Sequence, residues 1–215
     1  MVSSFKELID EPELNLASLN SEARFISSDI SWDNYEALLA KLEDNCHYRL
    51  TYLDGVLEIV SPSKRHESVK TRISFLVSLY LWKKQIKHFP LGSATFKNEA
   101  KKAGAEPDEC YCIGEEKDIP DLVIEVVITS GSVSKLETYR RLGVPEVWFW
   151  QRDQLKLYSL RDSSENEQAS IFVQTYGYEE ITASKILPQF DITLLLRCLL
   201  ISDPIQSNNE FEQNI

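Results

Sequence analysis

Apolar positions along the chain fall into helical stripes and short β runs. Tyr35, Leu38, Leu39 and Leu42 recur at three- and four-residue spacing behind Ser31, whose hydroxyl suits an N-cap, with Asp33 and Glu36 favoured in the first turn. A longer stripe, Val69, Ile73, Leu76, Val77, Tyr80 and Leu81, predicts a helix over about 64–87 that Ser63 can cap. Between the two stripes, Tyr48 to Leu53 and Val56 to Val60 surround Asp54-Gly55, the residue pair of a tight two-residue turn. A hairpin is expected there, with Glu58 opposite Thr51. After Pro90-Leu91-Gly92, Ser93 to Lys97 reads as an edge-like strand leading into the basic loop Lys101-Lys102-Ala103-Gly104.

The next stretch contradicts its own pattern. Glu106-Pro107-Asp108 opens one strand, and Pro120 to Ile128 forms a second, a branched apolar run of the kind buried on both faces of a sheet. Yet the run contains Asp121 and Glu125, and charge inside a sheet is costly without a compensating partner. The polar segment Gly114 to Asp118 predicts an antiparallel hairpin. A turn centred near Glu116 sets Asp108 opposite Val123 and diagonal to Glu125. Period-two alternation puts Asp121, Val123, Glu125 and Val127 on one face, with Asp121 displaced along the strand by about 13 Å. Two carboxylates so held suit a hard divalent cation such as magnesium or manganese. The alternative is a capping Asp and a salt-bridged Glu. Asp121 either supports the pair from behind or caps the strand.

Thr129-Ser130-Gly131-Ser132 ends that strand, and Leu136, Tyr139 and Leu142 mark a helix stopped by Gly143 and Pro145. Lys135 lies in its first turn, where the helix dipole disfavours a cation, so it is either solvated or aimed at negative charge. Glu146 to Trp150 is a further strand; its Trp148, Phe149 and Trp150 are read as core and dimer packing. Gln154 to Leu160 and Ile171 to Tyr178 are strands separated by the polar loop Arg161 to Gln168, and Ile192 to Ile201 is a packing helix. The expected organisation is a mobile arm over 1–22, one domain over 23–201 and a frayed tail over 202–215.

Composition limits the reading further. The chain has 215 residues, 43% hydrophobic and 27% charged, enough for one sizeable core. It has no run of about 18 apolar residues, so no membrane partner is expected, and scattered Cys46, Cys110, Cys112 and Cys198 fit reduced thiols in a cytoplasmic protein. The net charge of -11 opposes a nucleic-acid partner. Its distribution weakens the objection: residues 61–105 carry ten Lys or Arg against two acids, which is either a phosphate-attracting patch or a solvated helix face. His66, at a helix start, titrates near neutrality and either positions a ligand or phosphate or is structural. Glu58 is a strand acid like Glu125, but one face of its hairpin can be wet, leaving ligand and exposed residue both open.

Several phrases together are similar to the Uma-type family of restriction endonucleases, of the PD-(D/E)XK nuclease superfamily. They are Tyr52 to Glu58, Ser61-Pro62-Ser63 with His66, Glu106-Pro107-Asp108, Pro120 to Val126, Ser130 to Lys135, and Tyr139 with Gly143 to Trp148. The resemblance covers about residues 30–160. It implies an α+β, restriction-endonuclease-like core: a mixed central sheet flanked by helices, in the order helix, three strands, helix, strand, with the opening helix and hairpin as an N-terminal addition. It also implies metal-dependent hydrolysis of DNA. Asp108 and Glu125 would then hold Mg2+ or Mn2+, with Glu58 as a further ligand. Lys135 would stabilise the attacking water or the transition state, with His66 beside them. DNA would lie along Lys64, Arg65, Lys70, Lys97, Lys101 and Lys102. A homodimer follows on analogy with double-strand cutters. One position departs from the pattern, for Val127 stands where the superfamily has lysine, and Lys135 is the natural replacement. The alternative is a catalytically silent nuclease-fold protein, a nucleic-acid-binding or scaffold module. A carbohydrate-active carboxylate pair fits two neighbouring strands less well.

Overall fold

Turn and cap chemistry decide where the elements begin. In the computed structural model, which describes residues 22–42, 47–127, 134–161 and 175–215, Asp54 and Gly55 both take positive φ, 49° and 85°, and close the predicted hairpin. Its strands are β2 (Arg49–Leu53) and β3 (Val56–Ser61), and Thr51 faces Glu58 as expected. They extend into a five-stranded antiparallel sheet in the order β1-β3-β2-β6-β5, with β1 Ala23–Ser27, β5 Phe96–Asn98 and β6 Ala103–Ala105. Helix α1 (Trp32–Leu42) covers one face: Tyr35 and Leu38 pack with Leu50, Tyr52, Leu57 and Ile59, and the Ser31 hydroxyl accepts the Asn34 N–H. Glu58, Thr51 and Arg49 point to the opposite face.

The second sheet has six strands in the order β11-β10-β9-β8-β7-β4. These are β4 (His88–Pro90), β7 (Glu109–Ile113), β8 (Leu122–Val127), β9 (Glu146–Gln151), β10 (Gln154–Leu160) and β11 (Tyr178–Ile181). Only β8 and β9 run parallel, and the connection between them contains α3 (Lys135–Leu142), as a parallel crossover requires. Helix α2 (Lys64–Lys83), with α4 (Ile192–Leu200) and α5 (Pro204–Asn214), packs on the face formed by Ile124, Val126, Trp148 and Trp150. Helix α3 packs on the other face, where Tyr139 and Leu142 meet Val123 and Val147. This is an α+β, restriction-endonuclease-like fold with its mixed sheet flanked by helices. Among the described residues no helix is long and apolar enough to cross a membrane, and Cys110, Cys112 and Cys198 are free thiols.

Four expectations are corrected. The strand beside β7 is β4, not the edge-like Ser93 to Lys97; that segment yields the short β5, which joins the hairpin sheet. The N-terminal helix and hairpin are therefore not a separate addition, because β5 and β6, inserted between β4 and β7, complete their sheet. Helix α2 stops at Lys83, because Gln85 takes positive φ and the Ile86 N–H turns back to the Leu81 carbonyl. The tail expected to fray is helix α5: Asp203 caps it, accepting the Gln206 N–H, and Phe211 inserts into the core at 1% exposure. Residues 1–21, the Thr129 to Ser132 break and most of the Arg161 to Gln168 loop lie outside the described residues. So does the start of the expected Ile171 to Tyr178 strand; the strand described there begins at Tyr178.

Candidate active site

The chain crosses from the first sheet to the second at Glu106-Pro107-Asp108, directly after β6 and before β7. Glu106 fastens the crossing to β2, since its N–H donates to the Leu50 carbonyl and its carboxylate accepts the Leu50 N–H at 2.9 Å. Asp108 thus stands where the two sheets meet. In the β7–β8 register Glu109 pairs with Ile124 and Cys110 with Val123, so Asp108 is level with Glu125 rather than diagonal to it. The shift has a local cause at the hairpin's far end. The Asp121 carboxylate accepts the Ile113 N–H at 2.7 Å and pairs with Lys117 at 2.8 Å, moving the turn centre past Glu116. Asp121 therefore holds the turn and takes no part in the site, which answers the choice left open by the sequence.

Asp108 and Glu125 are buried, at 3% and 0% exposure, so every carboxylate oxygen must find a donor. Asp108 Oδ2 accepts the Val126 N–H at 2.7 Å. Its Oδ1 faces His66 Nε2 at 2.9 Å, while His66 Nδ1 faces Glu22 Oε2 at 3.3 Å. The Ser63 cap fixes the imidazole at the start of α2 by accepting the His66 N–H. Glu125 Oε2 takes the Lys135 ammonium at 2.6 Å, and Tyr139, one turn further along α3, donates its hydroxyl to Oε1. An ammonium thus reaches Glu125 from the next helix, where Val127 on the strand itself supplies none. Glu58, 1% exposed, is not on a wet face: Arg24 Nη1 of β1 meets its Oε1 at 2.6 Å, and Arg24 Nη2 meets Glu22 at 3.1 Å.

Burial and these partners set the charges. Burial alone would raise Asp108, but the hydrogen bond and charge of His66, with Lys135 and the Val126 N–H, hold it below the usual carboxylate range. Burial pushes Glu125 up; Lys135 opposes this, and the neighbouring charge of Asp108 reinforces it. For His66, burial favours the neutral ring, yet hydrogen bonds to Asp108 and Glu22 prevail and lift it to about 9. Lys135 is likewise raised against its burial, by Glu125 and Asp108. Near neutral pH both cations are charged.

Glu58, His66, Asp108 and Lys135 border one cavity of about 210 Å³, with Arg24 and Arg49 on the hairpin side and Phe149 in its wall. Four of the five residues picked as catalytic thus face one space, and the fifth, Glu125, lies beneath Lys135. Trp148 and Trp150 belong to the core, as expected, but Phe149 alternates onto the cavity side. The proposed DNA contacts do not gather in the same way. Lys64 and Arg65 are exposed at the start of α2, whereas Lys70 pairs with Glu67 at 2.6 Å. Lys97 pairs with Glu36 at 2.7 Å, and Lys101 and Lys102 lie in the β5–β6 turn. Tyr139, Glu22, Arg24 and Arg49 escaped the sequence reading. Tyr139 reads in the sequence as one more apolar-stripe residue, although it lies four residues from Lys135 on one helix face; Glu22 and Arg24 belong to a stretch with no usable periodicity.

Among the described residues no three His, Cys, Asp or Glu side chains are grouped to cage a metal ion. Asp108 and Glu125 are hard oxygen donors of the class magnesium takes, which is held by one or two carboxylates, water and substrate phosphate rather than by an all-protein cage. No protein of curated function matches the chain. Residues 32–195 match the Uma2 family, described as "Putative restriction endonuclease", a span that contains β2, β3, β7, β8, α2 and α3 but not β1 with Arg24. The chain, with its restriction-endonuclease-like fold, belongs to the Uma2 family.

Proposed function

We propose that the chain is a magnesium-dependent endonuclease that hydrolyses phosphodiester bonds of DNA in the cavity beside Asp108 and Lys135. The observation that carries this reading is the 2.6 Å contact between Lys135 and Glu125, with Asp108 level with Glu125 on the adjoining strand. It supplies from α3 the cation that Val127 cannot. Asp108 and Glu125 would hold the metal, which when bound lowers the pKa of a water and offsets charge on the phosphate. Lys135, already charged and partly open at 21% side-chain exposure, would stabilise the negative charge that builds as the phosphodiester is attacked. Tyr139 keeps Glu125 oriented, and His66 keeps Asp108 ionised. By analogy with double-strand cutters, two copies of the chain would act together on a duplex, which sedimentation on DNA would reveal.

A second reading is favoured by a specific observation. Every acid at the site is already paired with a cation, Glu58 with Arg24, Asp108 with His66 and Glu125 with Lys135. A silent nucleic-acid-binding module would have such a self-neutralised site. Manganese calorimetry with plasmid nicking in the same buffer, on wild type and Glu125→Gln, separates the two. Binding and nicking that both vanish in the variant support the nuclease. Metal binding without nicking supports the silent module, and absence of metal binding overturns the proposal.

A further inference from the structure

The first sheet brings two arginines to the cavity by register. Arg24 on β1 and Arg49 on β2 both pair with Val60 of the intervening β3, so the three residues form one row across the sheet. In the next row of the same face, Glu58 stands between Ile26 and Thr51. Glu58 is therefore a diagonal neighbour of both arginines, within reach of long side chains. Arg24 takes that contact at 2.6 Å. The arginine Cα atoms are two strand spacings apart, roughly 10 Å, a span that two guanidinium groups can close around a single small anion. Arg24, Arg49, Glu58 and Val60 all line the cavity that Asp108 and Lys135 border from the second sheet.

Arginine in pairs on a cavity wall is suited to phosphate, because the planar guanidinium presents parallel donors that match two phosphate oxygens. The buried Glu58 carboxylate holds Arg24 in place at 2.6 Å, while the Arg49 guanidinium is steadied by donating to the Tyr48 carbonyl at 2.9 Å. From this juxtaposition we infer that Arg24 and Arg49 form a clamp for a backbone phosphate of DNA, and that Glu58 is the positioning residue for the clamp rather than a metal ligand. The clamp rests on the nuclease reading for the nature of its ligand. It assigns the first sheet a task, gripping the strand, while the second sheet carries the acids and lysine that act on it.

The test uses the full chain and two readouts. A short fluorescein-labelled DNA duplex is titrated in EDTA by anisotropy, and manganese affinity is measured by calorimetry on the same proteins. Arg24→Gln and Arg49→Gln are each expected to weaken DNA binding about 10-fold, with Arg24→Lys between wild type and Arg24→Gln. Glu58→Gln is expected to weaken DNA binding while manganese affinity stays within about twofold of wild type. Melting temperatures identify any variant that fails to fold, and Arg24→Lys, which keeps a cation beside Glu58, is the variant least exposed to that risk. Unchanged DNA affinity in both arginine variants overturns the clamp, as does loss of manganese binding in Glu58→Gln, which would make Glu58 a ligand and leave the nuclease reading standing. Wild type that binds manganese but no DNA in EDTA overturns the clamp, and plasmid nicking by that same protein shows the nuclease reading still standing. Wild type that binds neither overturns the clamp and the nuclease reading together.

Discussion

His66→Gln should remove a pH dependence of stability whose sign and size follow from the site. In the folded chain the imidazole is lifted from 6.5 to about 9, because Asp108 and Glu22 reward the charged ring more than burial penalises it. A raised histidine contributes stability that is fully present below 6.5, where folded and unfolded rings are both charged, and that is lost as pH rises through about 9. At one pKa unit per 1.36 kcal/mol, the interval corresponds to about 3 kcal/mol. His66 is 3% exposed, so solvent screening removes little of this. Urea unfolding in EDTA, with wild type and variant compared at each pH, isolates the effect from other titrations. The gap should be about 3 kcal/mol at or below pH 6.5 and should close by pH 10 or so. A gap that stays constant, or widens with pH, would refute the ion-paired imidazolium and with it the account of how Asp108 stays ionised.

Further expectations concern single side chains. Lys135→Met should lower plasmid nicking by about 100-fold or more while retaining manganese binding, because its charge is needed in the transition state and not for ligation; loss of binding with nicking would count against that division. Glu146 is buried and accepts the Trp148 indole N–H at 2.6 Å and the Lys185 N–H at 2.8 Å. Glu146→Ala orphans both of these and the Ile186 N–H, accepted at 3.2 Å, and should cost about 3 kcal/mol, read as a fall in Tm of about 10 °C, with nicking intact at low temperature. Gly104→Ala places a Cβ against the Tyr35 ring and should destabilise the first sheet strongly; an unchanged Tm would disprove that close approach.

The features that the residues specified locally were legible. Asp54-Gly55 announced its turn, Ser31 and Ser63 announced their helices, and the Glu58–Thr51 register followed by counting. Asp108 and Glu125 stood out because charge on a buried strand must be compensated, and Lys135 through its place in a helix's first turn and the family resemblance. What stayed hidden depended on distant partners. Tyr139 looked like one more apolar stripe residue, since only the fold turns its hydroxyl toward Glu125. The register slipped because the Asp121 carboxylate, not a strand partner, takes the Ile113 N–H. Segment 88–90 is three residues long, too short to show alternation, and becomes a strand only through β7. Residues 204–214 have few apolar positions, and the helix docks through Phe211 and the buried Ser207 hydroxyl, which donates to the Cys198 carbonyl at 2.8 Å.

Glu106 is bonded to Leu50 through both its backbone and its side chain, and one proline separates it from Asp108. A link so short leaves almost no slack between the β2 edge and the acid. Opening the first sheet by even a local fluctuation would drag Asp108 away from Glu125. The amide hydrogens of β2, β7 and β8 should therefore exchange with solvent as one cooperative unit, and activity should disappear at the threshold where that unit opens, before the remainder of the chain unfolds.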